Sequence, residues 1–265
     1  MKFSIITVSY NQADYLEQCI LSVLDQDYKD IEYIIIDGGS TDHSVEIIKK
    51  YASKISYWIS EPDQGPSNAL NKGLDKVTGD VVGFINSDDY LLPDAISELH
   101  NVINSKSGFD VYYSPGYIKD ERADDMRIVY PTLWNLGCYR AGLTIMMQQS
   151  IFIRSKYLRD GLRFNEKNTT HWDGELLVDL DLAGARFYRH SAPISVFRIH
   201  QQSITGQGDN PTTRLRYQNE IKVVNRKIDQ QRPSVVKSKM YWWIWLIVFD
   251  SRNMIRRLRY KLRWQ

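Results

Sequence analysis

Apolar and polar positions follow two different periods along the first part of the chain. Short apolar and β-branched runs predict four strands, over residues 3–8, 33–36, 55–59 and 81–85. Apolar residues spaced three or four positions apart predict four helices, over residues 14–24, 42–51, 67–76 and 93–102. Because strands and helices alternate, we expect βαβ units and a parallel sheet.

The pattern becomes less regular after residue 108. It predicts strands over residues 111–118 and 187–197, and helices over residues 173–182, 214–228 and 238–263. Residues 201–212 are polar and contain glycine, as in loops that close over a binding site. The sequence therefore predicts an α/β protein that ends in helices.

Polar side chains follow three of the predicted strands at the point where each strand ends. The three clusters are Ser9-Tyr10-Asn11, Asp37-Gly38-Gly39-Ser40 and Asn86-Ser87-Asp88-Asp89. Ligands of open parallel sheets bind at the carboxyl ends of the strands, so the clusters predict one site. The pair Asp88-Asp89 offers the carboxylate oxygens that Mg²⁺ prefers. A turn or capping pair is the alternative, and Asp37 on the neighbouring strand favours the ligand site.

Composition and charge exclude several classes of protein. The 265 residues are 43% hydrophobic and 25% charged, as in an ordinary globular protein. The formal net charge is only +2, and the basic run lies in the C-terminal tail, which argues against a nucleic-acid-binding protein. Residues 9–14, after the first strand, lack the G-x-G-x-x-G pattern of a dinucleotide-dependent oxidoreductase. The G-x-x-x-x-G-K-[ST] pattern of P-loop kinases and ATPases is also absent from the sequence.

Four motifs, in order, resemble those of family 2 glycosyltransferases. They are Thr7-Val8-Ser9-Tyr10-Asn11, Ser22-Val23-Leu24-Asp25-Gln26, Ile36-Asp37-Gly38-Gly39-Ser40-Thr41-Asp42 and Asn86-Ser87-Asp88-Asp89. The resemblance covers roughly residues 1–205. It implies the GT-A fold, in which helices flank a mostly parallel sheet. It also implies a hexosyltransferase that moves a sugar, with inversion, from a nucleotide-diphosphate sugar (a UDP-sugar is expected) to an acceptor hydroxyl.

The resemblance also suggests how the chain is divided. A GT-A catalytic domain is expected over residues 1–212. Its nucleotide-binding half would span residues 1–105, and its acceptor half residues 106–212. Residues 213–265 would then form a C-terminal helical extension.

Carried over position by position, the resemblance implies a donor site at the edge of the sheet. Asp37 matches the aspartate that hydrogen-bonds the nucleotide base. Asn86 stands where the family's D-x-D segment begins, so a carboxylate contact becomes an amide contact there. The block over residues 61–73 opens a helix whose start favours anionic groups, although an ordinary helix cap is the alternative. The expected donor contacts are Ser9, Tyr10, Asn11, Asp37, Gly38, Asp63, Asn68, Asn86, Ser87 and Arg198.

The resemblance further implies a divalent cation, Mg²⁺ or Mn²⁺, beside the donor diphosphate, where it neutralises charge on the leaving group. Asp88 matches the metal-binding aspartate, and Asp89 is the other half of the pair. His200 follows an apolar strand and is a further metal-ligand candidate, with a bystander role as the alternative. Arg198 is a candidate diphosphate contact, with a surface salt bridge as the alternative.

The segment Trp172-Asp173-Gly174-Glu175 resembles the family's downstream acidic motif, which supplies the general base. We expect Asp173 to accept the proton of the acceptor hydroxyl, with Glu175 as the alternate. A helix start favours the ionised form of Asp173, and a simple capping aspartate is the alternative. The second candidate function is a non-catalytic nucleotide-sugar-binding or scaffold protein on the same fold. The presence of Asp37, Asp88 and Asp173 argues against it.

Residues 240–249 are apolar, but they are fewer than the roughly 20 residues that span a bilayer. Six basic residues and no acidic one follow: Arg252, Arg256, Arg257, Arg259, Lys261 and Arg263. Trp beside Arg is typical of a bilayer interface. A helix that packs on the catalytic domain, or at a homodimer interface, is the alternative.

The chain begins directly with a strand pattern and without a signal-peptide pattern. We therefore expect a cytoplasmic protein, peripheral on the inner face of the cell membrane. By analogy with the family, its acceptor would be a lipid-linked saccharide or an oligosaccharide. Its role would be in surface polysaccharide synthesis, which includes lipopolysaccharide.

Overall fold

The computed structural model describes residues 1–201, 203, 210–252 and 254–255. Most of the predicted loop over residues 201–212 lies outside the described residues. So do the basic residues of the tail beyond Arg252 (Arg256, Arg257, Arg259, Lys261 and Arg263).

The first part of the chain folds as its pattern predicts. Its main strands are β1 (Phe3–Ser9), β2 (Ile31–Asp37), β3 (Tyr57–Ser60) and β4 (Val81–Asn86). A short strand, β5 (Tyr90–Leu91), follows them. The helices are α1 (Ala13–Leu24), α2 (Ser44–Tyr51), α3 (Pro66–Leu74) and α4 (Ala95–Ser105). The observed ends differ from the predicted ones by a few residues, as is usual for element boundaries.

The second part of the chain contains shorter strands and the last helices. The strands are β6 (Val111–Tyr113), β7 (Gly116–Asp120), β8 (Asp125–Val129), β9 (Ile151–Arg154), β10 (Phe187–Arg189) and β11 (Ser195–Ile199). The helices are α5 (Leu136–Arg140), α6 (Lys156–Arg159), α7 (Trp172–Leu182), α8 (Pro211–Gln231) and α9 (Lys239–Phe249). No helix among the described residues combines the length and the apolar character that crossing a membrane requires.

Two predicted strands are wrong in extent. The run over residues 111–118 is split into β6 and β7, and the run over residues 187–197 into β10 and β11. Each split contains a proline, Pro115 or Pro193. Proline has no backbone N–H to donate within a sheet, so at both positions the chain leaves one sheet and enters the other.

A seven-stranded sheet forms the centre of the protein, in the order β10-β6-β9-β4-β1-β2-β3. Neighbouring strands are parallel except at β9, which is antiparallel to both β4 and β6. The register pairs Ser9 with Asp37, and Val8 with Asn86, so these three strands end together. A four-stranded sheet, in the order β5-β11-β7-β8, lies beside it and carries the segment that ends at His200.

Apolar side chains cover both faces of the central sheet. Because side chains alternate along a strand, β2 directs Ile34 and Ile36 to one core, and Tyr33 and Ile35 to the other. Helices α3, α7 and α8 contribute to the first core, and α1 and α4 to the second. Burial on both faces is the expected arrangement for a mainly parallel sheet.

The C-terminal helices pack on the domain that precedes them. Val224 and Ile228 of α8 are buried in the same core as α3 and α7. The guanidinium of Arg140 donates to Asp229 of α8 at 2.7 Å. The indole of Trp242, in α9, packs directly on Gly137 of α5. The described part of the extension predicted over residues 213–265 is therefore anchored to the preceding part of the chain by buried contacts.

Candidate active site

The three predicted polar clusters lie side by side at one edge of the central sheet. Their backbones are joined directly, since the amide of Gly38 donates to the carbonyl of Ser9 at 2.8 Å. The amide of Ser87 likewise donates to the carbonyl of Val8 at 3.1 Å. Parallel strands that end together thus form one crevice floor, as the sequence predicts.

Asn11 ties the first of these loops to the second. Its backbone is left-handed (φ 52°), a conformation that asparagine adopts more readily than most residues. Its amide N–H donates to the Ser40 hydroxyl at 2.9 Å, and its side-chain oxygen accepts from the Thr41 amide at 2.8 Å. The structure therefore shows Asn11 as a loop connector at the predicted site.

Asp37 is fully buried at the end of β2. One carboxylate oxygen accepts from the amides of Gly39 (3.2 Å) and Ser40 (2.9 Å) and from the Ser60 hydroxyl (2.7 Å). The other oxygen accepts from the Ser40 hydroxyl at 2.6 Å. Both oxygens are thus engaged by the protein, and in this conformation the carboxylate holds the loop after β2. The base contact assigned to Asp37 stays a prediction.

A different carboxylate faces the crevice beside Gly38. The Oδ2 atom of Asp63 lies 2.6 Å from the point where a side chain at Gly38 would begin, so only glycine allows this approach. The Asp63 Oδ1 atom accepts from the amide of Gly65 at 2.7 Å. Tyr10, which is 60% exposed, lies 3.4 Å from the same point over Gly38. Tyr10, Gly38 and Asp63 thus form an open surface with one aromatic ring and one carboxylate.

Asp88 and His200 meet across the two sheets. The Asp88 Oδ2 and His200 Nε2 atoms are 3.2 Å apart, although 112 positions separate the residues along the chain. The imidazole also packs on the ring of Tyr15, with ring centroids 4.4 Å apart. Within the described residues, no group of three or more His, Cys, Asp or Glu side chains could hold a metal. Two protein ligands nevertheless suit Mg²⁺ or Mn²⁺, because such ions take further oxygens from substrate phosphates and water.

Asp89 lies behind this pair. It is fully buried, and its Oδ1 atom accepts from the backbone amide of Arg198 at 2.9 Å. Its Oδ2 atom has no hydrogen-bond partner among the described residues. Burial and the neighbouring charge of Asp88 raise the pKa of Asp89 well above its ordinary value. The orphaned oxygen is compatible with the predicted metal contact, which stays a prediction.

Arg198 is enclosed by other side chains. Its side chain is buried, and its guanidinium lies between the rings of Tyr15 (5.0 Å) and Tyr90 (4.8 Å). One guanidinium nitrogen donates to Gln18, and Glu121 lies 3.9 Å away. Aromatic faces and protein oxygens therefore surround its charge, although its Nε atom makes no hydrogen bond within the described residues. The diphosphate contact expected of Arg198 stays a prediction.

The two candidates for the general base differ in their surroundings. Asp173, in the first turn of α7, is partly exposed, and its Oδ1 atom accepts from the amide of Gly174 at 2.8 Å. Glu175 is buried and accepts from the side chains of Asn165 (3.1 Å) and Asn168 (2.8 Å). Lys227 of α8 lies 3.7 Å from Glu175. The geometry therefore favours Asp173 as the residue available to a substrate.

Residues 4–162 match the family model described as glycosyl transferase family 2. The chain belongs to this family. An uncharacterized glycosyltransferase of Haemophilus influenzae is 44% identical over 101 residues, which are 37% of this chain and 40% of the relative. Chondroitin synthase of Pasteurella multocida is 31% identical over 241 residues, which are 87% of this chain and 24% of that protein. The chain thus spans less than half of the length of either relative.

Solved structures of similar proteins establish the GT-A fold predicted for family 2. Residues 1–349 of S. aureus TarS, in complex with UDP-GlcNAc, superpose with a TM-score of 0.65 at 22% identity. The match covers 78% of this chain and 61% of that one. The mannosyltransferase PcManGT from Pyrobaculum calidifontis, in complex with GDP-Man and Mn²⁺, gives a TM-score of 0.60 at 16% identity. It covers 78% of this chain and 59% of that one. At such identities the likeness concerns the fold alone.

Two other candidates for donor contacts are occupied by the protein itself: Asn68 is hydrogen-bonded and Ser87 is buried. The Asn68 side chain donates to Glu166 at 3.1 Å and accepts from the amide of Gln64 at 3.4 Å. Ser87 is buried, whereas Asn86 is partly exposed at the end of β4. Asn86 is thus the more accessible of the two residues at this strand end.

Several supporting residues were not predicted. Tyr15 and Tyr90 enclose Arg198, and Glu220 together with the contact between Asn71 and Glu166 holds the segment that leads to Asp173. Each lies 50 or more positions from at least one partner in this network. No local spacing in the sequence identifies such partners.

Proposed function

We propose that this protein is an inverting, metal-dependent glycosyltransferase of the hexosyltransferase class. It transfers a sugar from a nucleotide-diphosphate sugar, with a UDP-sugar as the first candidate, to an acceptor hydroxyl. The observation that carries the proposal is the contact between Asp88 and His200 at the strand edge. This edge also carries the open surface of Tyr10, Gly38 and Asp63. The UDP-GlcNAc complex of the similar TarS structure supports UDP as the first nucleotide to test.

In the proposed reaction, the acceptor oxygen forms a bond to the anomeric carbon while the bond from that carbon to the diphosphate breaks. Asp173 accepts the proton that the acceptor hydroxyl loses. Asp88 and His200 would hold Mg²⁺ or Mn²⁺, which neutralises charge on the leaving diphosphate when bound. Tyr10 and Asp63 would contact the nucleotide. A non-catalytic sugar-nucleotide-binding protein would not need the accessible carboxylate of Asp173.

A panel of UDP-, GDP- and dTDP-sugars, each with and without Mn²⁺, tests this proposal by thermal shift and donor hydrolysis. A donor at 100 times its Kd should add about 2.7 kcal/mol to the free energy of unfolding. Stabilisation and hydrolysis should both depend on Mn²⁺ in the native protein and lose that dependence in Asp88→Asn. Nucleotide binding without hydrolysis of any donor would favour the non-catalytic alternative. Equal hydrolysis with and without metal, after treatment with EDTA, would remove metal dependence from the proposal.

We also propose that the protein acts on a lipid-linked acceptor at the inner face of the cell membrane. The support is an α9 apolar face, formed by Met240, Trp243, Ile244, Ile247 and Val248. These residues recur at three and four positions, and each is exposed, with Met240 at 72% and Val248 at 62%. Trp242 and Leu246, on the opposite side of the helix, are buried against the protein. Apolar patches of this kind are typical of membrane or protein interfaces. The basic residues that come after α9 in the sequence would favour a surface of anionic lipid.

Flotation with anionic liposomes at low salt tests the membrane part. The native protein should float, and a double variant Ile244→Asp/Ile247→Asp should not. Val223→Asp, at a residue of α8 that is 55% exposed, is the control and should float like the native protein. If the α9 apolar face forms a homodimer instead, neither the native protein nor the double variant will float. Light scattering will then show a dimer for the native protein and a monomer for the double variant.

A further inference from the structure

The segment over residues 164–171, which we call the pre-α7 loop, leads directly into the helix that carries Asp173. Helix α3 holds its first half. The Asn71 side chain accepts from the amide of Phe164 at 3.0 Å and donates to Glu166 at 2.9 Å. The hydroxyl of Ser67, in the first turn of α3, donates to the carbonyl of Asn168 at 3.2 Å. The loop therefore joins the donor side of the crevice to the start of α7.

Helix α7 holds the same loop from its own first turn. Glu175 accepts from Asn165 and Asn168, and the Asn168 side chain accepts in turn from the amide of His171 at 2.9 Å. The buried position of Glu175 follows from this role. These bonds fix the middle of the loop but leave Thr169 and Thr170 to another partner.

That partner is Glu220 of α8. Its Oε1 atom accepts from the amide (2.9 Å) and the hydroxyl (3.2 Å) of Thr169. Its Oε2 atom accepts from the amide (2.9 Å) and the hydroxyl of Thr170. Burial alone would raise the pKa of Glu220, but the hydrogen bonds from Thr170 and Thr169 outweigh it and lower the pKa below its ordinary value. The carboxylate is therefore ionised at neutral pH, as an acceptor of four hydrogen bonds must be.

A second contact of α8 reaches the same place. Tyr217 lies one turn before Glu220, and its ring meets the ring of His171 edge to face, with centroids 5.0 Å apart. Residues three positions apart share one face of a helix, so α8 directs this face towards the pre-α7 loop. The loop and the first turn of α7 are thus positioned by a helix that sequence analysis assigns to a separate extension.

We propose that Glu220 is a positioning residue for the general base. By holding Thr169 and Thr170, it fixes the start of α7 and keeps Asp173 in the geometry that proton transfer requires. This inference rests on the proposed function, in which Asp173 takes the acceptor proton. A displacement of about 1 Å at a reacting group can lower turnover by roughly 10²-fold, so a residue that only positions the base can have a large effect on turnover.

The variant Glu220→Gln tests the hydrogen bonds to Thr169 and Thr170 with almost no change in the shape of the side chain. Its amide nitrogen would face one backbone N–H and one threonine hydroxyl. The hydroxyl can rotate to accept a hydrogen bond, but the N–H loses its acceptor, so the hold on that threonine is weakened. Glu220→Asp keeps both acceptor oxygens and should recover part of the activity. The control is Asp229→Asn, which breaks an ion pair of α8 with Arg140 (2.7 Å) and leaves the hydrogen bonds to Thr169 and Thr170 in place.

Three measurements are made on each full-length variant: hydrolysis of the donor selected from the panel, affinity for UDP with Mn²⁺, and hydrogen exchange of the backbone amides. For Glu220→Gln we expect kcat to fall by about 10- to 100-fold, with the donor KM and the UDP affinity within about two-fold of the native values. Exchange should accelerate over residues 164–176 and not in the central sheet. Asp229→Asn should change neither kcat nor exchange in that range.

The inference is overturned if kcat falls equally in Glu220→Gln and Asp229→Asn at the same folded fraction. It is also overturned if the UDP affinity falls together with kcat, or if exchange over residues 164–176 is unchanged. If the native protein hydrolyses no donor, the proposed function fails. The exchange experiment still decides whether Glu220 holds the loop.

Discussion

Replacing Asp37 distinguishes a structural role of this buried carboxylate from the contact to the nucleotide base that its motif suggests. In Asp37→Ala, two amides and two hydroxyls lose their acceptor at once. Hydrogen bonds to a charged group contribute roughly 1.5–3 kcal/mol each, but they are not additive, and water replaces part of them. We expect a loss of about 3–5 kcal/mol in the free energy of unfolding, which corresponds to a Tm lower by about 6–20 °C.

The matched variant is Asp63→Ala, on the neighbouring loop. The carboxylate of Asp63 accepts one hydrogen bond, from the amide of Gly65, and its other oxygen lies over Gly38 in the crevice. We expect its Tm to stay within about 2 °C of the native value, because a partly exposed side chain contributes little to stability. Its affinity for UDP should fall by about 10- to 100-fold, the effect of losing one hydrogen bond to a charged group.

Thermal unfolding and calorimetry with UDP and Mn²⁺ measure both effects on both variants. Asp37→Asn is an intermediate test, because it keeps one acceptor oxygen and should lose less stability than Asp37→Ala. The reasoning is refuted if Asp37→Ala keeps the native Tm and loses UDP affinity. In that case Asp37 contacts the nucleotide, and the loop after β2 does not depend on it.

Three further predictions concern the first turn of α7. Asp173→Asn should keep UDP affinity and Tm but lower turnover by about two to four orders of magnitude, measured by transfer or donor hydrolysis; near-native turnover would exclude Asp173 as the base. Glu175→Gln should lower the free energy of unfolding by about 2–3 kcal/mol in urea titration, because a buried carboxylate loses charge-assisted bonds from two asparagines. Gly174→Ala should cost about 1–3 kcal/mol in the same assay, since the new methyl group would overlap the ring of His171; an unchanged midpoint would mean that the ring moves aside freely.

The sequence was sufficient to predict the alternating strands and helices of the first part of the chain. Alternation of apolar runs and helical spacing predicts β1 to β4 and α1 to α4, because each has its own local period. The same strand ends predict the crevice, since parallel strands must end on one side. Asp88 and His200, which the sequence assigned to one metal site, are in contact, and the metal itself stays a prediction.

The roles of individual side chains could not be predicted in the same way. Asp37 has the sequence context of a ligand contact, but Ser60, from the next strand, completes its burial. Arg198 follows a strand pattern, but two rings, Tyr15 and Tyr90, from distant parts of the chain enclose it. Glu220 lies in a polar helix with no motif, because its partners are 50 and 51 positions away. Such contacts depend on tertiary packing, which local periodicity does not encode.

Apart from the buried Asp89, the acidic residues discussed around the crevice fall into two groups according to what their oxygens accept. In Asp37, Glu175 and Glu220, both oxygens accept hydrogen bonds from the protein. Because a carboxylate only accepts, such a group has little capacity left for a substrate. Asp63 and Asp173 each use one oxygen for an amide one or two positions along the chain, and the Asp88 carboxylate contacts His200. From this hydrogen-bond occupancy we expect the first group to hold the site together and the second to contact substrate or metal, a distinction that the D-G-G-S and N-S-D-D motifs do not make.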